Sequence, residues 1–435
     1  MHNTKRWYIF AACIMILAIG AYYAGNAFSS LHAMAKAHPR TSSTTPIQHI
    51  VFMVKENRTF DSMFGTYPGA NGATTWVDLS GVTHPLYHQP IQLKNDIKHS
   101  YVTAVRAEDN GKMDRFQNIP GSSQLGIYAS VSQLYQSDIP NYWAYAQNFA
   151  LEDNFFSDES GPSFPNHLFT IAGEDGNAAD IPHGGGWGCD ARSTTTVETI
   201  DPSDVTSYVF PCYDFQTLGD LLDQAGISWK YYAPPKGNPG YIWSAYDAIN
   251  HIRNGSDWTS HVVDYSQFAV DAAAGNLPAV SWLVTPGNVS DHPPYNVCNG
   301  ENFTVSQINA IMGNSSEWAS TAVVLTWDEW GGFYDHVYPP KGPNPYIEYG
   351  FRVPALIISP YARAGYIDNT FNSFSSMLKF AEDTFGLPSL TSLDGNSNDL
   401  YSAFNFNQTP IPPLVLQTRT CPPAAAQPDN LVTTD

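Results

Sequence analysis

Short apolar runs alternate with stretches of helical periodicity along most of the chain. Residues 47–54 are mostly apolar, broken only by Gln48 and His49, and stop at the largely polar string Glu56-Asn57-Arg58-Thr59-Phe60-Asp61. That pattern predicts a strand handing over to a helix. Residues 227–232 and 278–285 read as further strands, and 321–326 and 353–359 are apolar runs bounded by proline or polar residues, as strands buried on both faces are. Between them, 215–225 and 374–385 carry apolar residues at helical spacing and close at Gly226 and at Gly386-Leu387-Pro388. Strands alternating with helices predict an α/β layered domain around a largely parallel sheet.

The first forty residues stand apart from this pattern. Lys5 and Arg6 precede an apolar run over 7–24, and Ala33-Met34-Ala35 and Ala35-Lys36-Ala37 both fit a small-residue cleavage site. Residues 1–40 are therefore expected to be an export signal peptide, or a signal anchor if uncleaved, since about 18 apolar residues just span a bilayer. Any membrane contact is expected only through that segment. The body is expected to be one domain over 41–410, with an insertion at about 174–212 and a Pro-rich tail over 411–435. With Cys13 in the signal, Cys189, Cys212, Cys298 and Cys421 remain, an even number that suits an oxidising compartment. Three pairings are open; Cys189 with Cys212 is the natural one, closing a loop whose constraint is worth ~3 kcal/mol. No C-x-x-C spacing supports a zinc knuckle.

Charge narrows the function classes. Lys and Arg number 20 against 40 Asp and Glu, a formal net charge of -20, the wrong sign for gripping nucleic acid through its phosphates. Charged residues are only 14%, so the acidity comes from scarce Lys and Arg rather than crowded carboxylates. Such a surface suits work at low pH, where extra amines would add self-repulsion.

Ligands in parallel sheets bind beyond the carboxyl ends of strands, and four polar clusters fall there. They are Glu56-Asn57; Ser163 within Gly161-Pro162-Ser163-Phe164-Pro165-Asn166-His167; Asp291-His292-Pro293-Pro294; and Asp328-Glu329 with Asp335-His336. Singly, Asn57, Ser163 and Asp328 read as helix caps. Together, Glu56, Asn57, Asp328 and Glu329 are hard oxygen ligands that would repel one another without a cation between them. Ser163, beside prolines that stiffen a first helical turn, has the setting of a nucleophile, with the helix dipole to attract an anion. His292 and His336, and more weakly His99, are candidate proton donors. Aromatics such as Trp187, Tyr208, Phe210, Tyr231, Tyr232, Tyr241 and Trp243 suit either a headgroup pocket or ordinary packing.

Glu56-Asn57-Arg58-Thr59-Phe60-Asp61-Ser62-Met63-Phe64-Gly65 resembles a signature of the bacterial phospholipase C and acid phosphatase family of phosphoesterases, within the alkaline phosphatase superfamily. Gly111-Lys112-Met113-Asp114, the Ser163 segment, the Asp291 segment, Thr326-Trp327-Asp328-Glu329 with Gly332-Phe333-Tyr334-Asp335-His336-Val337, and Arg352-Val353-Pro354-Ala355-Leu356-Ile357-Ile358-Ser359-Pro360 follow in that family's order. The resemblance implies a three-layer α/β/α sandwich and one divalent metal ion, with Mg, Ca, Mn and Zn all open. It implies metal ligands at Glu56, Asn57, Asp328, Glu329 and Ser163, a Ser163 nucleophile forming a phosphoseryl enzyme, and histidines 99, 292 and 336 lining the site. Asn166 and His167 fall at substrate-binding positions. The substrate would be a phosphate ester, with phospholipid headgroups and small phosphomonoesters both open.

Two departures stand out. His167 occupies a place where the family commonly has Arg, which exchanges a fixed cation for one charged only when protonated and favours acidic operation. Asn369 stands where many members have His. A sulfatase-like hydrolase of the same superfamily and a non-catalytic binding protein are the competing readings, and retention of the whole polar set argues against the latter.

Overall fold

The computed structural model describes residues 45–342 and 348–423. The segment 1–40, expected to be an export signal, and the end of the tail beyond residue 423 lie outside the described residues. Eight strands, β1 (His49–Lys55), β2 (Ala150–Glu152), β3 (Trp229–Ala233), β4 (Val262–Asp264), β5 (Val280–Val284), β6 (Thr321–Trp327), β7 (Ala355–Ile358) and β8 (Tyr366–Asp368), make one sheet. Their order is β4-β3-β5-β1-β6-β7-β2-β8. All run parallel except β7, which opposes both β6 and β2.

Each apolar run expected to be a strand is one. β2, β4 and β8 escape the sequence pattern because three residues are too few to show a period. The central strands β1, β5 and β6 are buried along nearly their whole length, which is why they read as continuous apolar runs rather than as alternation. Burying a Phe-sized side chain there contributes roughly 1.5–3 kcal/mol.

Helices α1 (Phe60–Phe64), α2 (Ser163–Ala172), α3 (Leu218–Ala225), α4 (Gln267–Ala274), α5 (Val297–Gly313) and α6 (Phe374–Phe385) cover the sheet. Trp282 of β5 donates its indole N–H to the Thr170 carbonyl of α2. Tyr232 of β3 donates its hydroxyl to Asp271 of α4 and packs edge-on against Phe268. Trp282 is level with Tyr231 and Leu283 with Tyr232. Successive strand residues point to opposite faces, so α2 and α4 lie on opposite sides of the sheet. α6 packs on α2 and α5 on α4, which completes three layers. α3 begins with a reciprocal Thr217–Asp220 capping box and ends at Gly226, whose φ of 66° only glycine adopts freely.

Two disulfides settle the pairing left open by sequence: Cys189–Cys212 and Cys298–Cys421. The first closes the insertion, which carries an antiparallel hairpin, Val197–Ile200 with Thr206–Val209. The second fastens the described part of the tail to α5, where Arg419 Nε also meets Glu301 Oε2 at 2.6 Å. The described residues fall within one compact unit. Among them, no helix is long and apolar enough to cross a membrane.

Candidate active site

Strands β1 and β6 are neighbours, in register to Lys55 and Trp327, so the residues just past each end come out side by side. Asp328 N–H donates to the Lys55 carbonyl, and Asn57 N–H donates to Asp328 Oδ1 at 2.8 Å, which locks the two strand exits together. Neither Asn57 nor Asp328 caps a helix: α1 starts at Phe60 and is capped by Thr59, whose side chain accepts from Ser62 N–H. Asn57 instead holds a φ of 61°, a strained value for a residue with a Cβ. Gly331 packs directly against it, where a Cβ would approach the Asn57 Cβ to 2.5 Å.

α2 brings in the serine from the adjoining layer. Ser163 is its first helical residue and Pro162 precedes it as N-cap with no side-chain cap bond. The hydroxyl is therefore not spent on capping, and it donates to Glu56 Oε2 at 3.3 Å. Asn166, one turn on, uses its amide to accept from Glu159 N–H and to donate to the carbonyls of Glu159, Gly161 and Pro162. Its amide thus braces the loop that presents Ser163.

His167 lies on the same helix with its Nε2 at 2.9 Å from Glu56 Oε1 and 3.7 Å from Asp328 Oδ2. Glu56, His167 and Asp328 are all buried and converge closely enough to hold one ion. Burial, with the Asp328 and Glu329 carboxylates adding to it, pushes Glu56 well above the usual carboxylate range. Burial pulls the His167 imidazole down to about 4, against the pull of Asp328. It therefore stands as a neutral nitrogen behind Ser163, away from the residues that line the cleft.

A divalent cation suits these donors. Asn57 Oδ1 and Asp328 Oδ2 are buried with no hydrogen-bond partner among the described residues, an arrangement that costs about 1–3 kcal/mol per group unless a ligand takes it up. The set is mostly oxygen with one imidazole, which fits Mg, Mn, Ca or Zn in differing degree. Glu329 turns one oxygen to the Gly331 N–H at 2.7 Å and the other toward His99 Nε2 at 3.6 Å.

In front of Ser163 opens a cleft of about 690 Å³. His99 and His292 line it on one side, with ring centroids 5.8 Å apart. His292 Nδ1 meets the Pro293 carbonyl at 2.5 Å, and Trp243 stacks on the ring, so Nε2 is the nitrogen left for a ligand. Insertion residues from Asp180 to Arg192, including Trp187, form the facing wall. Of the aromatics singled out from sequence, Trp187 and Trp243 line the cleft, while Tyr231 and Tyr232 are core and Tyr208 is exposed.

His336 comes to a separate cluster. Its backbone N–H and its Nδ1 both lie 2.7 Å from Asp61 Oδ2, and Nε2 lies 3.2 Å from Asn71 Oδ1. Arg352 joins Asp61 and Asp335 there. Burial works against a charged imidazole at His336, but the Asp61 and Asp335 carboxylates outweigh it and raise its pKa. Asn369 borders an open hollow beside Asn71 and Asp153, not the Ser163 cleft. The cleft carboxylate Asp180 escaped sequence reasoning because it lies in the insertion, and His167, expected at a substrate-binding position, stands instead beside Glu56 and Asp328.

The chain belongs to the phosphoesterase family, which it matches over residues 47–388. It is similar to phospholipase C A of Mycobacterium tuberculosis, 28% identical with 86% of this chain and 80% of that protein covered. Against the non-hemolytic phospholipase C of Pseudomonas aeruginosa it is 27% identical, covering 87% of this chain and 60% of the relative. Among solved structures, an alkaline phosphatase superfamily protein from Vibrio parahaemolyticus superposes with a TM-score of 0.40 at 12% identity, over 82% of this chain and 72% of that one.

Proposed function

We propose that this phosphoesterase is an exported, metal-dependent enzyme of phospholipase C type that cleaves phosphodiesters through a phosphoseryl intermediate on Ser163. The observation that carries the reading is the Ser163 hydroxyl, free of any capping duty, at the start of a ten-residue helix, 3.3 Å from a buried carboxylate and facing a cleft lined by His99, His183 and His292. Two disulfides support an oxidising destination. The phospholipases among its relatives, together with Trp187, Trp243 and Asp180 in the cleft wall, favour a lipid phosphodiester over a small monoester.

Glu56, Asn57, Asp328 and His167, with the Ser163 hydroxyl, would hold the cation. A bound divalent ion there lowers the pKa of a neighbouring hydroxyl and stabilises negative charge on phosphoryl oxygens. Ser163 Oγ attacks phosphorus as its proton passes to Glu56 Oε2, its hydrogen-bond acceptor, and the N–H groups of the first turn of α2 meet the phosphoryl oxygens. The ester bond to the leaving alcohol breaks as His292 Nε2 gives that oxygen a proton. His292, now neutral, takes a proton from the water that attacks the phosphoseryl group. The Ser163 Oγ–phosphorus bond breaks as Glu56 returns the proton to Oγ, which frees Ser163 and releases the headgroup phosphate.

The test is a substrate panel across pH, with phosphatidylcholine beside a chromogenic phosphomonoester. Faster cleavage of the lipid, lost in Ser163→Ala and best below neutral pH, is the expected result. Preference for the monoester would reassign the enzyme as an acid phosphatase. An optimum above neutrality would remove the acidic reading drawn from the scarcity of Lys and Arg.

A further inference from the structure

His99 lines the cleft and looks like an acid or a substrate contact, but both its nitrogens are engaged on the protein side. Nδ1 lies 2.6 Å from the Ile97 carbonyl. A carbonyl oxygen only accepts, so Nδ1 carries the proton, and the Asp96 carboxylate at 3.7 Å favours the same tautomer. Nε2 is the nitrogen turned to Asn57, with Glu329 Oε1 farther off at 3.6 Å. The atom 3.2 Å from Nε2 is Nδ2 of the Asn57 side chain, which only donates, so the ring nitrogen accepts from it. This fixes the amide's other end. With Nδ2 donating to His99, Oδ1 faces away from the imidazole, and it is the atom left buried without a hydrogen-bond partner among the described residues. The backbone of Asn57 is clamped as well, by its N–H on Asp328 Oδ1 and by Arg58 Nη1 on its carbonyl at 2.6 Å.

We propose that His99 is a positioning residue: its imidazole, held at Nδ1 by the Ile97 carbonyl, orients the Asn57 amide so that Oδ1, and not the NH₂, is offered to the cation. An amide offers a cation one oxygen and repels it with the other end, so its orientation decides whether Asn57 is a ligand at all. Histidines and their partners outside a metal's direct ligands commonly set such orientations, and losing one lowers metal affinity 10–100-fold. The inference rests on the metal-dependent reading above and extends it to a residue that touches no ion.

The experiment strips the full-length protein of metal and titrates it with Mn²⁺, following free Mn²⁺ by electron paramagnetic resonance. Wild type, His99→Ala, His99→Gln, Asn57→Asp and the His99→Ala/Asn57→Asp double variant are compared, with thermal melts to confirm folding. His99→Ala should bind Mn²⁺ about 10–100-fold more weakly, with much of kcat returning at saturating Mn²⁺. His99→Gln, whose side-chain oxygen can still accept from the Asn57 amide, should stay close to wild type. With Asp at position 57 both side-chain oxygens are ligands, so adding His99→Ala should change affinity little. Wild-type Mn²⁺ affinity in His99→Ala, with kcat lost at saturating metal, would overturn the proposal and return His99 to direct action on substrate. A wild-type protein that takes up no Mn²⁺ and carries no divalent ion by elemental analysis would overturn the metal-dependent reading itself, and this inference with it.

Discussion

Glu56 Oε2 accepts the Ser163 hydroxyl at 3.3 Å although 107 residues separate the two along the chain. One stands at the exit of the central strand and the other at the first position of a helix in the next layer. The sheet thus supplies the carboxylate and the helix supplies the nucleophile, each held by an element whose own stability does not depend on the contact.

Ser163→Ala therefore separates chemistry from folding. Loss of the hydroxyl should lower kcat by ~10⁴-fold or more, as loss of a nucleophile does elsewhere. Stability should shift by no more than about 1 kcal/mol, the net worth of one hydrogen bond. Steady-state kinetics paired with urea melts checks both halves, and an unchanged rate would discard the nucleophile assignment.

Asp291 supports the same end of the sheet. It is fully buried, accepts from the Tyr142 hydroxyl at 2.9 Å and the Trp327 indole at 3.2 Å, and stands 3.5 Å from the buried Lys55 ammonium. Burial lowers the Lys55 pKa, and Asp291 opposes that shift. Asp291→Asn leaves the ammonium without its counter-charge and should cost about 3–5 kcal/mol, the range for breaking a buried pair. Because His292 is the next residue, a fall in kcat beyond the loss of folded protein is also expected, and circular dichroism with active-site titration distinguishes the two.

The Cys189–Cys212 bond holds the insertion that forms one cleft wall. Replacing both cysteines by Ala should cost about 3 kcal/mol through the loop it closes. The wall carries Trp187 and Asp180 but no proposed catalytic group, so KM should rise while kcat changes by less than about threefold. A kcat loss at unchanged KM would count against the wall's role in binding.

A carboxylate pair far from the site sets a pH dependence. Glu382 Oε1 and Asp394 Oδ2 both accept from the Leu390 N–H, at 3.3 and 2.8 Å, and both residues are fully buried. Burial first, and Asp394 second, push Glu382 up to about 8. Lys379 and Asp383 on the same helix pair with each other at 2.9 Å. A raised folded-state pKa means the contribution to stability is complete below the unfolded value near 4 and declines as pH rises toward 8. Glu382→Gln should remove that decline and gain roughly 1–3 kcal/mol at pH 8 while changing little at pH 4. Denaturant melts at the two pH values test it, and a gain of equal size at both would refute the pairing.

Much of the site was legible because it lies at strand exits. Glu56-Asn57 and Asp328-Glu329 each follow an apolar run that only a doubly covered strand explains, and in a parallel sheet such exits converge. His336 obeyed the same rule but went elsewhere: the chain past Asp328 turns through Gly331 and Gly332 and delivers it to Asp61 and Arg352. Local pattern carries no information on which way such a turn leads. His167 shows the complementary limit. Four residues beyond Ser163 it shares the helix face that meets the sheet, yet its partners Glu56 and Asp328 come from two distant strands.

The amino-acid sequence by itself determined the layered α/β architecture, the strands at its centre, and the polar residues that follow β1 and β6, because periodicity and local motif are properties of neighbouring residues. Tertiary structure decided the rest. It chose among the cysteine pairings, reversed β7, put His167 rather than a substrate-facing cation beside the carboxylates, and turned the Asn57 amide toward His99. Each of those outcomes depends on the distance and orientation of groups brought together from far along the chain, which only the packed layers define.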